Sequence, residues 1–245
     1  DFKTGQKPVL TPELVLAAYR AGVFPMAEAR DACGVSWYEP EMRGVLPLDN
    51  FHVPNRLART VRQRRYRVTF NTAFDAVICA CAEARPSTWI NDDIIAAYTA
   101  LHGQGHAHSV ETWKGNDLAG GLYGIAIAGA FFGESMFSTA RDASKVALVH
   151  LTARLRARGF TLFDAQFMND HLRQFGIKEI PRDEYRRRLA VALEAPQSSK
   201  SVTGASAFPF SPVAAAGAPS GAFSDENSCD FSEVELFLQS MIQTS

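Results

Sequence analysis

Glu134 is an acidic residue in an apolar setting. The segment 131–138 has the sequence Phe-Phe-Gly-Glu-Ser-Met-Phe-Ser, which predicts a strand. Strand alternation places Glu134 on the same face as Phe132 and Met136. Burying a carboxylate among such side chains is costly unless it is paired or reaches a ligand. Two explanations remain open here: contact with a ligand, and a structural ion pair with one of the many arginines.

Asp164 and Gln166 form a second polar pair, near the end of a strand predicted over 161–166. Their i, i+2 spacing puts both side chains on one face of that strand. The carboxyl ends of strands are where α/β sheets commonly place ligand groups. Asp170 follows in the next loop, where its position predicts a helix N-cap and not a catalytic role.

Two patterns that could suggest metal or redox chemistry are weak. His106 and His108 share a strand face, but no third ligand stands at a characteristic spacing, and zinc takes three or four protein ligands. A structural or hydrogen-bonding role is favoured for both histidines. Cys79 and Cys81 fall on a predicted helix, where positions i and i+2 point apart. The sequence therefore predicts no metal site.

The strongest electrostatic feature is a run of arginines between positions 56 and 67. Six arginines fall within these twelve residues, and no acidic residue occurs between positions 50 and 74. Arg56, Arg59 and Arg62 recur at helical spacing, with Leu57 and Val61 on the other face. Pairing within the helix cannot explain a run without acids. We expect a polyanionic partner whose phosphates these side chains contact.

Composition limits the class of protein. The chain has 245 residues, 47% hydrophobic and 21% charged, with a formal net charge of −1. No run of 18 uncharged apolar residues occurs, which argues against a membrane-spanning helix. The N-terminus has no apolar segment, so a secretory signal is expected to be absent or removed, and a first residue of Asp indicates a trimmed or incomplete chain. Four cysteines form neither a disulfide framework nor a zinc pattern, which favours a reducing, cytosolic setting.

Local patterns divide the chain into three parts. Residues 1–71 are predicted to form a small N-terminal subdomain, and 72–195 an α/β or α+β domain of alternating helices and strands. Residues 196–245 are rich in Ser, Ala, Pro and Gly, carry one basic and five acidic side chains, and are predicted to be disordered. Within 231–245, Val234 and Leu238 stand at helical spacing, so a short docking helix is the alternative to a frayed terminus.

Capping residues and glycines mark the boundaries of several elements. Thr11 begins a helix that Gly22 ends, Asn91 begins another, and Asp142 begins one that Gly159 ends. Glycines at 120, 121 and 124 fall inside a strand pattern and predict close approach of neighbouring backbone. Strands are predicted at 106–113, 118–127, 129–138 and 161–166, with a hairpin turn at 114–117.

Several short strings stand in one order along the chain. They are YRAGVFPM (19–26), TWI (88–90), GHAHSVE (105–111), GGLYG (120–124), FFGESMFS (131–138), ASK (143–145), and FDAQ (163–166) followed by NDH (169–171). Each string alone is weak, but together they resemble the bacterial leucyl/phenylalanyl-tRNA–protein transferase family. The resemblance covers about residues 9–192 and leaves the segment from 196 onward outside.

This resemblance implies an aminoacyltransferase. Such an enzyme moves Leu, Phe or, less often, Met from aminoacyl-tRNA to the α-amino group of proteins that begin with Arg or Lys. The new apolar N-terminus is an N-degron, which marks the product for degradation. The implied fold is a small tRNA-contacting N-terminal domain followed by a larger domain similar to acyl-CoA N-acyltransferases (GNAT-like). No metal, nucleotide or other cofactor is implied, and the implied location is the cytoplasm.

The resemblance also assigns residues. Asp164 and Gln166 position and deprotonate the attacking amine, and Glu134 meets the N-terminal Arg or Lys. Because an amide is not a strong base, Asp164 is expected to supply the electrostatic part. The resemblance implies three further sets of binding residues. For each set the alternative is a structural role, in a packed core or on a solvated surface. The three sets are an aminoacyl pocket of Leu122, Phe131, Met136, Leu151 and Phe163, an adenosine site of Trp89 with Trp37 or Tyr38 nearby, and a tRNA-contacting set of Arg56, Arg59, Arg62, Arg64 and Arg65.

Two other functions remain as alternatives. An acyl-CoA-dependent N-acyltransferase of the same fold would need a pyrophosphate-binding glycine loop before a helix, whereas Ser-Thr-Ala-Arg stands at 138–141. A noncatalytic RNA-binding module would fit the arginines but leaves Glu134, Asp164 and Gln166 unexplained. Aminolysis of an ester that is already activated needs no enzyme nucleophile, which fits a sequence without a Ser–His or Cys–His arrangement.

Overall fold

Helices and strands alternate along the residues that the computed structural model describes, 9–194 and 231–242. The helices are α1 (Pro12–Arg20), α2 (Asn55–Arg62), α3 (Phe74–Glu83), α4 (Asp92–Gly103), α5 (Ala143–Ala157), α6 (Asp170–Arg173), α7 (Arg182–Glu194) and α8 (Phe231–Ile242). The strands are β1 (Phe24–Met26), β2 (Ser36–Tyr38), β3 (Met42–Leu46), β4 (Arg67–Phe70), β5 (Ala107–Lys114), β6 (Asp117–Ile127), β7 (Ala130–Ser138), β8 (Leu162–Gln166) and β9 (Lys178–Pro181). Within these ranges no helix has both the length and the apolar character that crossing a bilayer requires.

Seven of these strands form one mixed sheet in the order β4-β5-β6-β7-β8-β3-β9. Strands β7 and β8 pair in parallel, and the other neighbours in the sheet pair antiparallel. The parallel pairing ends at Phe132 opposite Asp164. Beyond this point β7 continues to Ser138 beside β6 alone, so a gap opens between the two strands. The mixed α/β class predicted from the sequence is confirmed.

The small N-terminal part comprises α1 and a two-stranded sheet of β1 and β2. The predicted boundary after position 71 falls inside the main sheet, because β3 pairs with β8 and β9, and β4 pairs with β5. Residues 42–70 therefore belong to the same unit as the residues after 72. Pairing between strands that are far apart in the sequence leaves no local signal, which is why the predicted boundary differs from the one that the sheet shows.

Apolar side chains fill both faces of the sheet. One core joins the sheet to α1, α3, α4 and α7 and includes Tyr19, Tyr98 and Phe132. The other joins it to α2, α5 and α8 and includes Phe131 and Leu151. Because helices cover both faces, the middle strands are buried over most of their length: the first six residues of β5 and seven consecutive residues of β6 are buried.

Several local predictions are confirmed by hydrogen bonds and backbone angles. Thr11 Oγ1 accepts from the Leu14 amide at 3.2 Å, and Asn91 Oδ1 accepts from the Ile94 amide at 3.0 Å. A Cβ at Gly120 would lie 2.8 Å from that of Ala143, so the predicted close approach brings the start of α5 against β6. Asp142 does precede α5, but its side chain makes no capping bond there and pairs instead with basic residues.

The prediction for the C-terminal segment needs a correction. Residues 196–230 and 243–245 lie outside the described residues. The twelve residues between them form helix α8, which packs against α5. Val234, Phe237 and Leu238 are buried in the core on that side of the sheet. Residues 231–242 therefore form the docking helix that helical spacing had offered as the alternative. The helix docks because its apolar side chains cover an apolar surface beside α5.

Two leucines on α8 test this packing directly. Leu238 is 2% exposed and Leu236 is 67% exposed. Leu238→Ala should lower the free energy of unfolding by about 2–5 kcal/mol, since it removes buried methyl groups and leaves a cavity. Leu236→Ala should change it by less than about 0.5 kcal/mol. Urea unfolding of the full chain measures both, and equal small effects would mean that α8 does not dock.

Candidate active site

A β-bulge positions Glu134. In the pairing of β6 with β7, Tyr123 lies opposite Ser135 and Gly124 opposite Gly133, so Glu134 is the extra residue between them. Such a bulge re-aims the side chains that follow it. Phe132 consequently faces the core beneath α3 and α4, whereas Met136 faces the opposite core. The strict alternation predicted from the sequence, which put both on one face, is wrong because of this one residue.

The carboxylate of Glu134 is held by tyrosine hydroxyls. Tyr19 Oη donates to Oε1 at 2.7 Å, and Tyr98 Oη lies 3.4 Å from Oε2. The two hydroxyls also bond to each other at 2.6 Å. Tyr19 is in α1 and Tyr98 in α4, so two helices converge on the bulge. Burial raises the pKa of Glu134 to about 8, against the opposing effect of the Tyr19 hydrogen bond.

Asp164 sits in a buried ion pair with Arg43. Arg43 Nε lies 3.0 Å from Oδ1 and Nη2 lies 2.7 Å from Oδ2, in a bidentate arrangement. Tyr185 Oη donates to Oδ2 at 2.7 Å. The guanidinium also donates to the Gly22 carbonyl at 2.9 Å and lies between the rings of Phe24 and Tyr185, 4.5 and 4.3 Å from their centroids. Asp164 is completely inaccessible and Arg43 is 1% exposed.

Gln166 adopts a left-handed backbone conformation, with φ of 56°. Side chains other than Gly adopt this region only at a cost, and the surrounding structure must hold them there. Asp164 Oδ1 holds this conformation by accepting a hydrogen bond from the backbone N–H of Gln166 at 2.9 Å. A register shift between β3 and β8 makes Ala165 an extra residue, and Gln166 after it lies in the cavity wall. Gln166 Nε2 then lies 3.4 Å from Glu134 Oε1.

A cavity of about 580 Å³ opens where β7 and β8 separate. This volume suits a small-molecule group. Its polar wall includes Glu134 and Gln166, and the predicted residues Leu122, Met136, Phe163 and Trp89 also line it. The cavity therefore brings together six of the predicted catalytic and substrate-binding residues.

Five of the predicted residues lie elsewhere. Asp164 is buried behind the cavity wall, in the contacts described above. Phe131 and Leu151 are fully buried in the core beneath α5, with Phe131 edge-on to Phe163 at 5.4 Å. Trp37 and Tyr38 are 39% and 36% exposed, on the strand that pairs with β1.

Sequence reasoning missed several members of the site. Phe24 and Met26 line the cavity from β1, and Arg43, Tyr19, Tyr98 and Tyr185 supply the hydrogen bonds around the two carboxylates. A signal was present for Tyr19, Phe24 and Met26, which belong to the string at 19–26. The sequence carried no such signal for Arg43, since a lone arginine in a short strand is typical of a surface residue.

Two further buried polar residues, Glu111 and His108, lie outside the cavity wall. Glu111 is inaccessible and accepts from Thr69 at 2.6 Å and Ser109 at 2.5 Å, beside the start of α3. Burial lowers the pKa of His108 to about 3, so this histidine stays neutral. In the two described ranges no group of three or more His, Cys, Asp or Glu side chains is arranged to hold a metal ion.

The predicted basic surface is exposed. Leu57 and Val61 on α2 are buried, whereas the five predicted arginines are accessible to solvent. Two of them meet acids distant in sequence: Arg56 lies 3.0 Å from Asp142, and Arg62 lies 3.6 Å from Glu235 on α8. Arg64 stacks 4.0 Å over the Phe231 ring. These exposed arginines are Arg56, Arg59, Arg62, Arg64 and Arg65, called here the arginine surface.

Comparison with known families identifies the family of this chain. A family model described as "Leucyl/phenylalanyl-tRNA protein transferase" matches residues 45–190, and one described as the N-terminal domain of the same protein matches residues 9–41. The chain belongs to this family. The resemblance inferred from the short strings is confirmed, and so is the enzyme class, an aminoacyltransferase. Membership of this leucyl/phenylalanyl-tRNA protein transferase family argues against a noncatalytic RNA-binding module.

Relatives of the same name cover most of the chain. One from Nitrobacter winogradskyi is 60% identical over 188 residues, which are 76% of this chain and 84% of the relative. Another from Hyphomonas neptunium is 59% identical over 75% of this chain and 72% of the relative. A third from Caulobacter vibrioides is 59% identical over 76% of this chain and 87% of the relative. Each is named "Leucyl/phenylalanyl-tRNA--protein transferase".

Proposed function

We propose that this protein transfers Leu or Phe, and less often Met, from aminoacyl-tRNA to the α-amino group of proteins that begin with Arg or Lys. The observation that carries the proposal is Glu134, a carboxylate at the wall of a cavity with no basic side chain bonded to it in the described residues. The product would carry an N-degron. We expect the reaction to occur in the cytoplasm, where aminoacyl-tRNA is made.

Glu134 is suited to a cationic ligand. Its neighbours within hydrogen-bonding distance are Tyr19, Tyr98 and Gln166, which carry no charge. Burial raises the pKa of this carboxyl group to about 8 despite the nearby charge of Arg43, so the ionised form would be stabilised by a further cation. A cationic N-terminal Arg or Lys side chain would supply that charge and lower the pKa of Glu134, so that the carboxyl group releases its proton to solvent. The described structure thus offers a specific reason for a basic N-terminal residue.

The chemistry needs orientation more than a strong base. The acceptor amine attacks the ester carbonyl, a C–N bond forms, the ester C–O bond breaks, and one amine proton ends on the released ribose hydroxyl. An α-amino group has a pKa of about 7.7–8.0, so a useful fraction is neutral near pH 7. We assign Gln166 to accept a hydrogen bond from this amine. Holding the two reactants in place can lower such a barrier by about 7–11 kcal/mol.

Asp164 acts through Gln166 in this scheme. It has no access to the cavity, and Arg43 balances its charge. A direct electrostatic effect on the amine is therefore small. Its bond to the Gln166 amide, at 2.9 Å, instead keeps that residue in its left-handed conformation. We revise the electrostatic role expected from the sequence to one of positioning.

The aminoacyl-tRNA would approach from the arginine surface. Asp142, which pairs with Arg56, directly precedes α5, and Ser144 in the first turn of α5 lines the cavity. Arg56, one member of the arginine surface, is thus linked through Asp142 to the turn of α5 that reaches the cavity. Apolar walls from Leu122, Met136 and Phe163 would hold a Leu or Phe side chain.

Transfer of labelled leucine from Leu-tRNA to matched peptides tests the proposal. The peptides begin with Arg, Lys or Gly and are otherwise identical, and the full chain is used. We expect label on the Arg and Lys peptides and none on the Gly peptide. Acetyl-CoA in place of Leu-tRNA should give no acetylation. Transfer to all three peptides alike would contradict the acceptor rule, and bound tRNA without transfer would support a binding module.

Salt dependence tests the tRNA-binding role of the arginine surface. Arg59 is exposed on α2, and Arg187 is exposed on α7, on the opposite face of the sheet. Arg59→Ala should reduce the slope of log affinity against log salt by about 0.7–0.9, the value for one lost phosphate contact. Arg187→Ala should leave the slope unchanged. Filter binding of tRNA over a series of salt concentrations measures both, and equal slopes would remove Arg59 from the tRNA site.

A further inference from the structure

Tyr123 has a buried hydroxyl without a hydrogen-bond partner among the described residues. The side chain is completely inaccessible to solvent. Buried polar groups in folded proteins are nearly always paired, because an unpaired group loses its bonds to water and gains none in return. The family's chemistry as assigned above does not use this residue. An unpaired hydroxyl at such a position calls for a ligand that pairs it.

Tyr123 belongs to the wall of the cavity, and its hydroxyl is enclosed just behind that wall. Tyr123 lies on β6 opposite Ser135, next to the bulge that positions Glu134. Its ring is edge-on to those of Phe74 and Tyr98, each at 5.9 Å. Burial and the charge of Glu134 both raise the pKa of Tyr123 well above its ordinary value, so the group stays a neutral hydroxyl. Tyr123 and Glu134 both line the cavity.

The hydroxyls of the neighbouring tyrosines are already paired. Tyr19 and Tyr98 bond to each other and to Glu134. Tyr123 is the tyrosine next to them whose oxygen still lacks a partner among the described residues. A cationic side chain that reaches Glu134 would therefore meet a free acceptor beside the carboxylate.

We propose that the Tyr123 hydroxyl is a specificity-determining group that accepts a hydrogen bond from the guanidinium of an N-terminal Arg. This inference rests on the proposed function. A guanidinium presents five N–H donors in a rigid plane, of which a carboxylate engages two. The remaining donors need acceptors, and Tyr123 provides one. An ammonium group is more compact and has three donors, so a Lys side chain gains less from Tyr123.

Tyr123→Phe separates this role from a structural one. The change removes only the oxygen and keeps the ring contacts. It should lower kcat/KM for an Arg peptide by about 10- to 100-fold, the size expected for losing one hydrogen bond to a charged group. For the matched Lys peptide the loss should be less than about threefold. The KM for Leu-tRNA should not change.

Thermal unfolding provides the second measurement. Tyr123→Phe should leave the melting temperature unchanged or raise it, since an unpaired oxygen is removed. Tyr185→Phe is the comparison, because that hydroxyl donates to Asp164 at 2.7 Å and its loss should lower the melting temperature. A fall in melting temperature for Tyr123→Phe, with equal losses on both peptides, would assign the hydroxyl a structural partner and overturn the inference.

The same assay distinguishes the two proposals. If wild-type protein transfers leucine to Arg and Lys peptides and Tyr123→Phe does so equally well, the inference about Tyr123 fails and the proposed function stands. If wild-type protein with bound Leu-tRNA labels neither peptide, the proposed function itself fails. If Tyr123→Phe loses transfer to the Arg peptide but not to the Lys peptide, and its melting temperature is unchanged, the result supports both the inference about Tyr123 and the proposed function.

Discussion

Replacing Glu134 by Gln is expected to reduce transfer to peptides beginning with Arg or Lys by about 10²- to 10³-fold. The substitution keeps the shape of the side chain and removes its charge. A cation bound in the cavity then loses its countercharge, and removing one partner of a buried charge pair costs roughly 2–5 kcal/mol. Tyr19 can still donate to the amide oxygen and the amide nitrogen can donate to Tyr98 Oη, so the fold around the bulge should persist.

Steady-state transfer to the two basic peptides measures the effect, with tRNA affinity as the control. Binding of Leu-tRNA to the Gln variant should match the wild-type value, because the arginine surface is untouched. Equal losses of transfer and tRNA affinity would indicate misfolding. Undiminished transfer to Arg and Lys peptides by a stable variant would exclude Glu134 as the acceptor's countercharge.

The effect of pH on stability follows from the same carboxyl group. Burial raises the pKa of Glu134 to about 8, whereas a Glu in an unfolded chain titrates near about 4.3. The folded protein therefore holds this proton more tightly, and the stability it contributes is full below about 4.3 and is lost as pH rises to about 8. Urea midpoints should show wild type losing stability relative to Glu134→Gln across that window. Parallel curves would mean that Glu134 ionises normally.

Many helices and strands could be predicted from local sequence patterns. Caps at Thr11 and Asn91, the glycine after α5, and the strand patterns at 106–113 and 118–127 all gave elements that the structure contains. What local patterns could not give was pairing at long range. Strand β3 inserts between β8 and β9, and its five residues carry too little alternation to reveal a central strand. Helix α8 was visible as spacing, but its docking depends on an apolar surface built by other segments.

The site was predictable in its residue types and less so in its geometry. Glu134 and Gln166 do meet at the cavity, yet each owes its direction to a bulge of one extra residue. A bulge depends on the register of two strands, so sequence alternation alone cannot locate it. Arg43 lies 121 positions from Asp164 and could not be matched with it from spacing. The sequence therefore identified the acids without showing which of them is open to a ligand and which is neutralised.

Asp164→Asn is expected to lower the free energy of unfolding by about 3–5 kcal/mol and to abolish most transfer. The change leaves the Arg43 guanidinium buried without a countercharge, which is the costly way to break such a pair. It also weakens the acceptor that holds the Gln166 amide in its left-handed conformation. Urea unfolding and transfer per folded molecule, at a temperature below the variant's transition, measure the two effects.

A second variant decides what Asp164 contributes. Combining Asp164→Asn with Arg43→Met removes both buried charges, while the Asn oxygen can still accept from the Gln166 backbone N–H and the Asn nitrogen can donate to Tyr185 Oη. Replacing both members of a buried pair is often close to neutral, so most of the lost stability should return. If Asp164 acts by positioning Gln166, a substantial part of the transfer activity returns with it. A double variant that is stable and still inactive would show that the charge of Asp164 is itself required, because position alone would then have been restored without restoring the reaction.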